Sequence, residues 1–139
     1  MDWIIFAILS AVFASLVAIF GKIGIANIDS TLATSVRAVI MAAFLAVVSF
    51  SLGKFKLLHT IGSKALTFII LSGIAGAISW LFYFVALKRG PASGVAALDR
   101  LSVVFVFILA VFFLHEQASW KSILGGIMIA LGAILMTVR

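Results

Sequence analysis

The amino-acid sequence predicts an all-α integral membrane fold of five transmembrane helices per chain, pairing as an inverted, antiparallel dimer of ten helices. Three observations carry this. Of 139 residues, 65% are apolar and 10% charged, where soluble globular domains have about 45–50% and about 25%. The apolar residues fall into five runs, each close to the ~20 residues that cross a bilayer, which leaves short connectors and no room for an extramembrane domain. The lysines and arginines flanking those runs divide evenly between the two faces of the membrane.

The runs are Trp3 to Ile25, Thr31 to Leu52, Ala65 to Leu87, Pro91 to Leu114 and Trp120 to Val138. Asp2 is the only side-chain charge before Lys22, so the first run lacks the basic n-region of a cleaved signal and reads as a permanent span. Pro91 opens span four in a first helical turn, where its missing N–H costs little. The connectors are Ala26 to Ser30, Gly53 to Lys64, Lys88 to Gly90 and His115 to Ser119, and only the second is long. Residues 1–139 form one five-helix domain on this reading.

An odd number of crossings places the N-terminus and connectors two and four on one side, and connectors one and three and the C-terminus on the other. Lys54, Lys56, Lys64 and Lys121 fall on the first side; Lys22, Lys88, Arg89 and Arg139 fall on the second. Orientation follows such counts, so a tie lets the chain insert both ways and pair head-to-tail with itself. The competing reading is a single orientation set by folding order, or by Arg37 snorkelling to the second side.

Composition also excludes functions. With no cysteine, and with His59 and His115 in connectors, thiol chemistry, disulfides and metal sites drop out. The net charge of +6 comes from ten basic residues scattered along the chain, which argues for helix flanks and against a nucleic-acid partner. The four acidic residues are dispersed and no catalytic constellation forms, so an enzyme is not expected. No Gly-rich phosphate loop follows a strand, leaving gradient-driven or passive transport with no cofactor.

Polar residues inside the spans are the candidates for function. Asp99 and Arg100 lie eight and nine residues beyond Pro91, about 12–14 Å deep and close to the midplane. Adjacent helical positions point about 100° apart, so Asp99 looks to another helix. Arg37, Lys22 and Tyr83 share its half of the membrane by the alternation of crossings. The sets Ala11, Ser15, Ala18, Lys22; Ser30, Thr34, Arg37, Met41; and Ser72, Gly76, Ser79, Tyr83 each follow a four-three-four spacing, which puts each set on one face and allows close packing or a wet cavity. Trp80 lies beside Tyr83, too deep for an interfacial belt.

Each candidate has two readings. Asp99 and Arg100 serve a solute or ion site, or form ion pairs that hold helices together; Lys22 contacts substrate or snorkels to the headgroups; Trp80 and Tyr83 contact substrate or pack as ordinary aromatics. In span five, Ser122, Gly126 and Ala130 stand four apart, a small-residue surface suited to close helix contact, within the chain or between copies.

Several segments together resemble the EamA-like branch of the drug/metabolite transporter superfamily, in particular its small five-helix members. They are Lys22 closing span one, ATSVRA around Arg37, WLFYFVALKRGPASGVAALDRLSVVFVFILAVFFLHE, and LGGIMIALGAIL in the last span. The resemblance covers the whole chain and implies a permease that moves small metabolites or drugs, often outward, in a prokaryotic inner membrane. Ten-helix relatives look like two five-helix halves of opposite orientation. Two copies of this chain, one inverted, would rebuild them, with the site between the halves and access alternating by rocking. The resemblance assigns much of the dimer contact to the last two spans.

One departure stands out: such relatives often carry a proline within span four, where this chain reads LDRLSVV, which removes the proline basis for a kink. An alternative from another class is a non-transporting assembly or regulatory subunit whose intramembrane charges recognise a partner. A small-multidrug-resistance-like exporter has four helices and a glutamate in span one, and no carboxylate follows Asp2 there.

Overall fold

The computed structural model describes residues 2–138, and of Asp2 the backbone alone. Arg139, counted above among the flanking charges, lies outside the described residues. Those residues form α1 (Asp2–Gly24), α2 (Ser30–Ser51), a 3₁₀ helix (Lys54–Thr60), α3 (Ser63–Arg89), α4 (Ala92–Asp99), α5 (Leu101–Phe113) and α6 (Trp120–Leu135), with no strand among them.

Four stretches are long and apolar enough to cross a membrane: Trp3–Gly24, Ser30–Ser51, Ser63–Arg89 and Ala92–Phe113. Large apolar side chains such as Phe6, Phe20, Phe44, Phe82 and Phe112 are exposed along them, an arrangement that water would not tolerate and lipid does. The protein is an integral membrane protein. The last apolar run differs from expectation, because its helix covers 16 residues, Trp120–Leu135, or about 24 Å against a hydrocarbon core of about 30 Å. Its end is local: Thr137 donates its hydroxyl to the Ile134 carbonyl at 2.7 Å, competing with the helical ladder in the last turn.

The chain divides into two compact units, residues 1–22 with 89–139, and residues 23–88. In the second unit Asp29 caps α2, its carboxylate accepting the backbone N–H groups of Thr31 at 2.9 Å and Leu32 at 3.0 Å. The Leu32 bond first, then the Thr31 bond and nearby Lys88, hold its carboxyl below the usual carboxylate range. Lys88 donates its ammonium to the Ile28 carbonyl at 2.6 Å, tying the end of α3 to the connector before α2. At its far end α2 stops where Gly53 turns left-handed at φ 63°, a conformation costly for residues with a Cβ. The long connector expected over Gly53 to Lys64 contains the 3₁₀ helix, with Lys54 and Lys56 beside exposed Phe55, Leu57 and Leu58.

In the first unit Lys22 donates to the Gly90 carbonyl at 2.8 Å, joining α1 to the α3–α4 connector. The N-terminal half of α4 lies against the end of α6, close enough that a Cβ on Gly94 would stand 3.5 Å from Thr137 Cγ2 and 3.4 Å from Pro91 Cγ. The fourth span is interrupted at Arg100 with no proline involved: the Arg100 N–H bonds to Ala97 O at 3.1 Å and the Val103 N–H to Arg100 O at 3.0 Å. Both are i to i−3 bonds, the tighter 3₁₀ pattern, which shifts α5 out of the α4 ladder. His115 closes α5 in the left-handed region at φ 55°, and the Glu116 N–H turns back to Ala110 O at 3.3 Å.

A candidate solute cleft between α2 and α3

Within the unit of residues 23–88, α2 and α3 run past each other and leave a cleft of about 490 Å³, within the range of small-molecule sites. Thr34, Arg37, Met41 and Leu45 line it from α2; Ser72, Gly73, Gly76 and Trp80 line it from α3. It stays open because small residues face it: a Cβ built on Gly73 or Gly76 would meet nothing within 4 Å. The four-three-four faces read from the sequence thus meet here through Thr34, Arg37, Met41, Ser72 and Gly76. The α3 wall is rotated slightly from expectation, since Gly73 and Trp80 take part and Ser79 is exposed.

Arg37 lies seven residues into α2, about 10 Å from its start, and is half-buried. Its guanidinium carbon stands 3.6 Å from the centroid of the Trp80 ring and 5.6 Å from that of Phe84. A cation over an aromatic face is attracted by the ring quadrupole, more strongly where water is excluded. Tyr83 braces Trp80 edge-on, with centroids 5.4 Å apart and planes at 75°. Phe84 is buried beneath, 6.0 Å from Trp80 and 6.2 Å from Tyr83. Phe84 was not among the candidates, although it is the next residue after Tyr83 and completes the platform.

The other candidates belong to the other unit. Lys22 is half-buried and bonded to Gly90, as described. Asp99 is the last residue of α4 and Arg100 the joint between α4 and α5, and both are exposed. In α6, Ser122 is exposed at the N-terminal cap, where its N–H bonds to Ser119 Oγ at 3.1 Å and the two hydroxyls lie 2.8 Å apart. Gly126 and Ala130 are half-buried on the face that continues to buried Ala133. On α1 the Ser15 hydroxyl is occupied by Val12 O at 2.7 Å. Among the described residues no group of three or more acidic, histidine or cysteine side chains stands ready to hold a metal.

The profile of the EamA-like transporter family matches residues 1–138. The chain belongs to the EamA-like transporter family. A Sinorhizobium protein named as an uncharacterized transporter in the cobO 3′ region is 43% identical over 137 residues, covering 99% of this chain and 97% of that protein. An uncharacterized protein of Methanocaldococcus jannaschii is 29% identical over 85 residues, 61% of this chain and 62% of its own. No solved structure matches. The family is one of transporters, so this EamA-like chain is placed among membrane transport proteins.

Proposed function

We propose that the chain is a secondary permease for small metabolites or drugs, exporting them by alternating access as an antiparallel pair of identical copies. The observation that carries the reading is the α2–α3 cleft, which offers an EamA-like chain room for a small solute and an oriented guanidinium inside the membrane. Charged groups within spans mark solute and ion pathways more often than scaffolding. The even division of flanking charges favours insertion in both orientations, and an inverted pair of five-helix chains supplies the two halves that rocking requires. In this arrangement α6 completes a crossing despite its length by local thinning of the bilayer. Its Ser122, Gly126 and Ala130 face adds to the contact between copies, and Asp99 and Arg100 at the interrupted fourth span serve the transport pathway. The Sinorhizobium relative supports residence in a prokaryotic inner membrane.

The test has two parts. Paired reporters fused after Arg139, one active only in the cytoplasm and one only outside it, are expected to give comparable signals; a signal from one side alone overturns self-inversion. The purified chain, reconstituted alone in liposomes, is expected to exchange at least one member of a panel of labelled organic anions, cations and zwitterions. Asp99→Asn is expected to stop that exchange while the copies still pair on size exclusion. No exchange by the folded wild-type chain overturns the transport reading.

A further inference from the structure

We propose that the α2–α3 cleft recognises anions, taking the carboxylate or phosphate of a small amphiphilic organic acid at Arg37 and laying its apolar body along Met41, Ala42 and Leu45. This names the substrate class of the permease proposed above and rests on that reading for its consequence in transport.

Charge decides the first point. Arg37 is the one charged residue lining the cleft, and no lining residue is acidic. Its guanidinium carbon stands 3.6 Å from the Trp80 ring centroid and 5.6 Å from that of Phe84, and its five N–H donors, which lie in the guanidinium plane, suit the two oxygens of a carboxylate or phosphate. Among the described residues Arg37 makes no ion pair. A partly desolvated cation of this kind gains most from an anion delivered as ligand, because the ring contacts alone replace little of the hydration it gives up. An ammonium ligand would meet a like charge and find no carboxylate in the lining.

The neutral polar groups narrow the choice further. Thr34 donates its hydroxyl to the Ser30 carbonyl at 2.8 Å, and Ser35 donates to Thr31 O at 3.0 Å. Both hydroxyl protons are therefore held by the backbone of α2, and Arg37 is the one charged donor in the lining. From Arg37 the α2 wall continues through Met41 and Ala42 to Leu45, eight residues or about 12 Å of apolar surface. A charged end and an apolar trough orient an amphiphile, and a 490 Å³ volume suits a small one.

The experiment uses the full chain with Trp3→Phe and Trp120→Phe, which leaves Trp80 as the sole tryptophan, in phosphatidylcholine nanodiscs. Phenylacetate and benzyl phosphate are expected to change Trp80 emission saturably, with phenethylamine at least about tenfold weaker, and Arg37→Gln is expected to weaken phenylacetate by at least about tenfold. Arg37→Lys, which keeps the charge and loses the fork, should retain the preference for anion over amine. Gly76→Phe, which occupies the cleft and leaves Arg37 in place, should abolish the response. Discs containing phosphatidylglycerol separate the two sources of such an anion. If a lipid phosphate is the occupant, that lipid alone shifts Trp80 emission and competes with phenylacetate; if a soluble acid is, the titration is the same in both lipids.

Phenethylamine binding as tightly as phenylacetate overturns the proposal. So does a folded Arg37→Gln protein that binds phenylacetate within about twofold of the parent, or a folded parent that answers neither anion in either lipid. Anion binding without exchange in liposomes would remove the transport reading and leave the anion site. Exchange of cations that is untouched by Arg37→Gln would remove the anion site and leave transport.

Discussion

The two compact units bury different kinds of residue. In residues 1–22 with 89–139, the buried positions among those described are Ala18, Gly94, Ala97, Ala110 and Ala133, all small. In residues 23–88 they are Ile25, Ser30, Thr34, Phe84 and Leu87, and Ile25 and Leu87 are only 2% and 0% exposed. Lipid tails are as apolar as leucine, so helices in a membrane associate by fit, and small residues let backbones approach until they touch. The first unit uses that route and closes its α4–α6 contact to within van der Waals distance of Gly94. The second unit buries large side chains at the Leu87 end of α3 and leaves Gly73 and Gly76 unfilled further along, where a cleft opens against α2. Small residues thus have opposite consequences at Gly94 and at Gly73 and Gly76: opposed by another helix they make contact, and unopposed they make room.

The largest effect expected from this contrast is at Leu87. Leu87→Ala should destabilise the chain by about 2–5 kcal/mol, the transfer term plus the cavity left behind, read as reduced resistance to denaturation in detergent micelles. A loss below about 1 kcal/mol would mean that large side chains do not anchor that unit. The reverse substitution sharpens the other half: Ala133→Leu should cost about 1–3 kcal/mol through overpacking, and a neutral result would show that the α6 face is not closed. The smallest effect is at the cleft floor, where Gly76→Ala meets open space and gains helix propensity, for a stabilisation of about 0.5–1 kcal/mol. Destabilisation there would show that Gly76 is packed, and the cleft reading would fail.

The two intramembrane arginines repeat the contrast at the level of single residues. Both stand in the sequence as cations within apolar runs, Arg37 among small and hydroxyl residues and Arg100 next to Asp99. Arg37 finds Trp80 across the helix pair and is held against it, whereas Arg100 sits at the joint of α4 and α5 and is exposed. The local sequence carried part of that difference, since Asp99 and Arg100 interrupt a run that needs regular hydrogen bonding in lipid. What it did not carry was the place of the ladder shift, because proline is the signal that sequence reading relies on and none is present in span four beyond position 91. Likewise Trp80 was visible as a deep aromatic, but its partner lies 43 positions earlier in the chain, and no local pattern pairs them.

The sequence by itself determined the solvent this protein folds in, the order of its five apolar runs, most of the helix ends within them, and which face of α2 is polar. These follow from hydropathy, helical period and capping, all of which act within a few residues. The first turn after Pro91 belongs to this class; the cap at Asp29 and the turn at Gly53 act over the same short range and are seen in the structure. The tertiary structure alone decided that Lys22 and Lys88 are spent on the carbonyls of Gly90 and Ile28, and that Gly73, Gly76 and Trp80 meet Arg37 around a cleft. Those outcomes depend on which faces are opposed and how closely, a matter of side-chain fit between segments distant in sequence, and residue spacing along one helix holds no record of the wall it will meet.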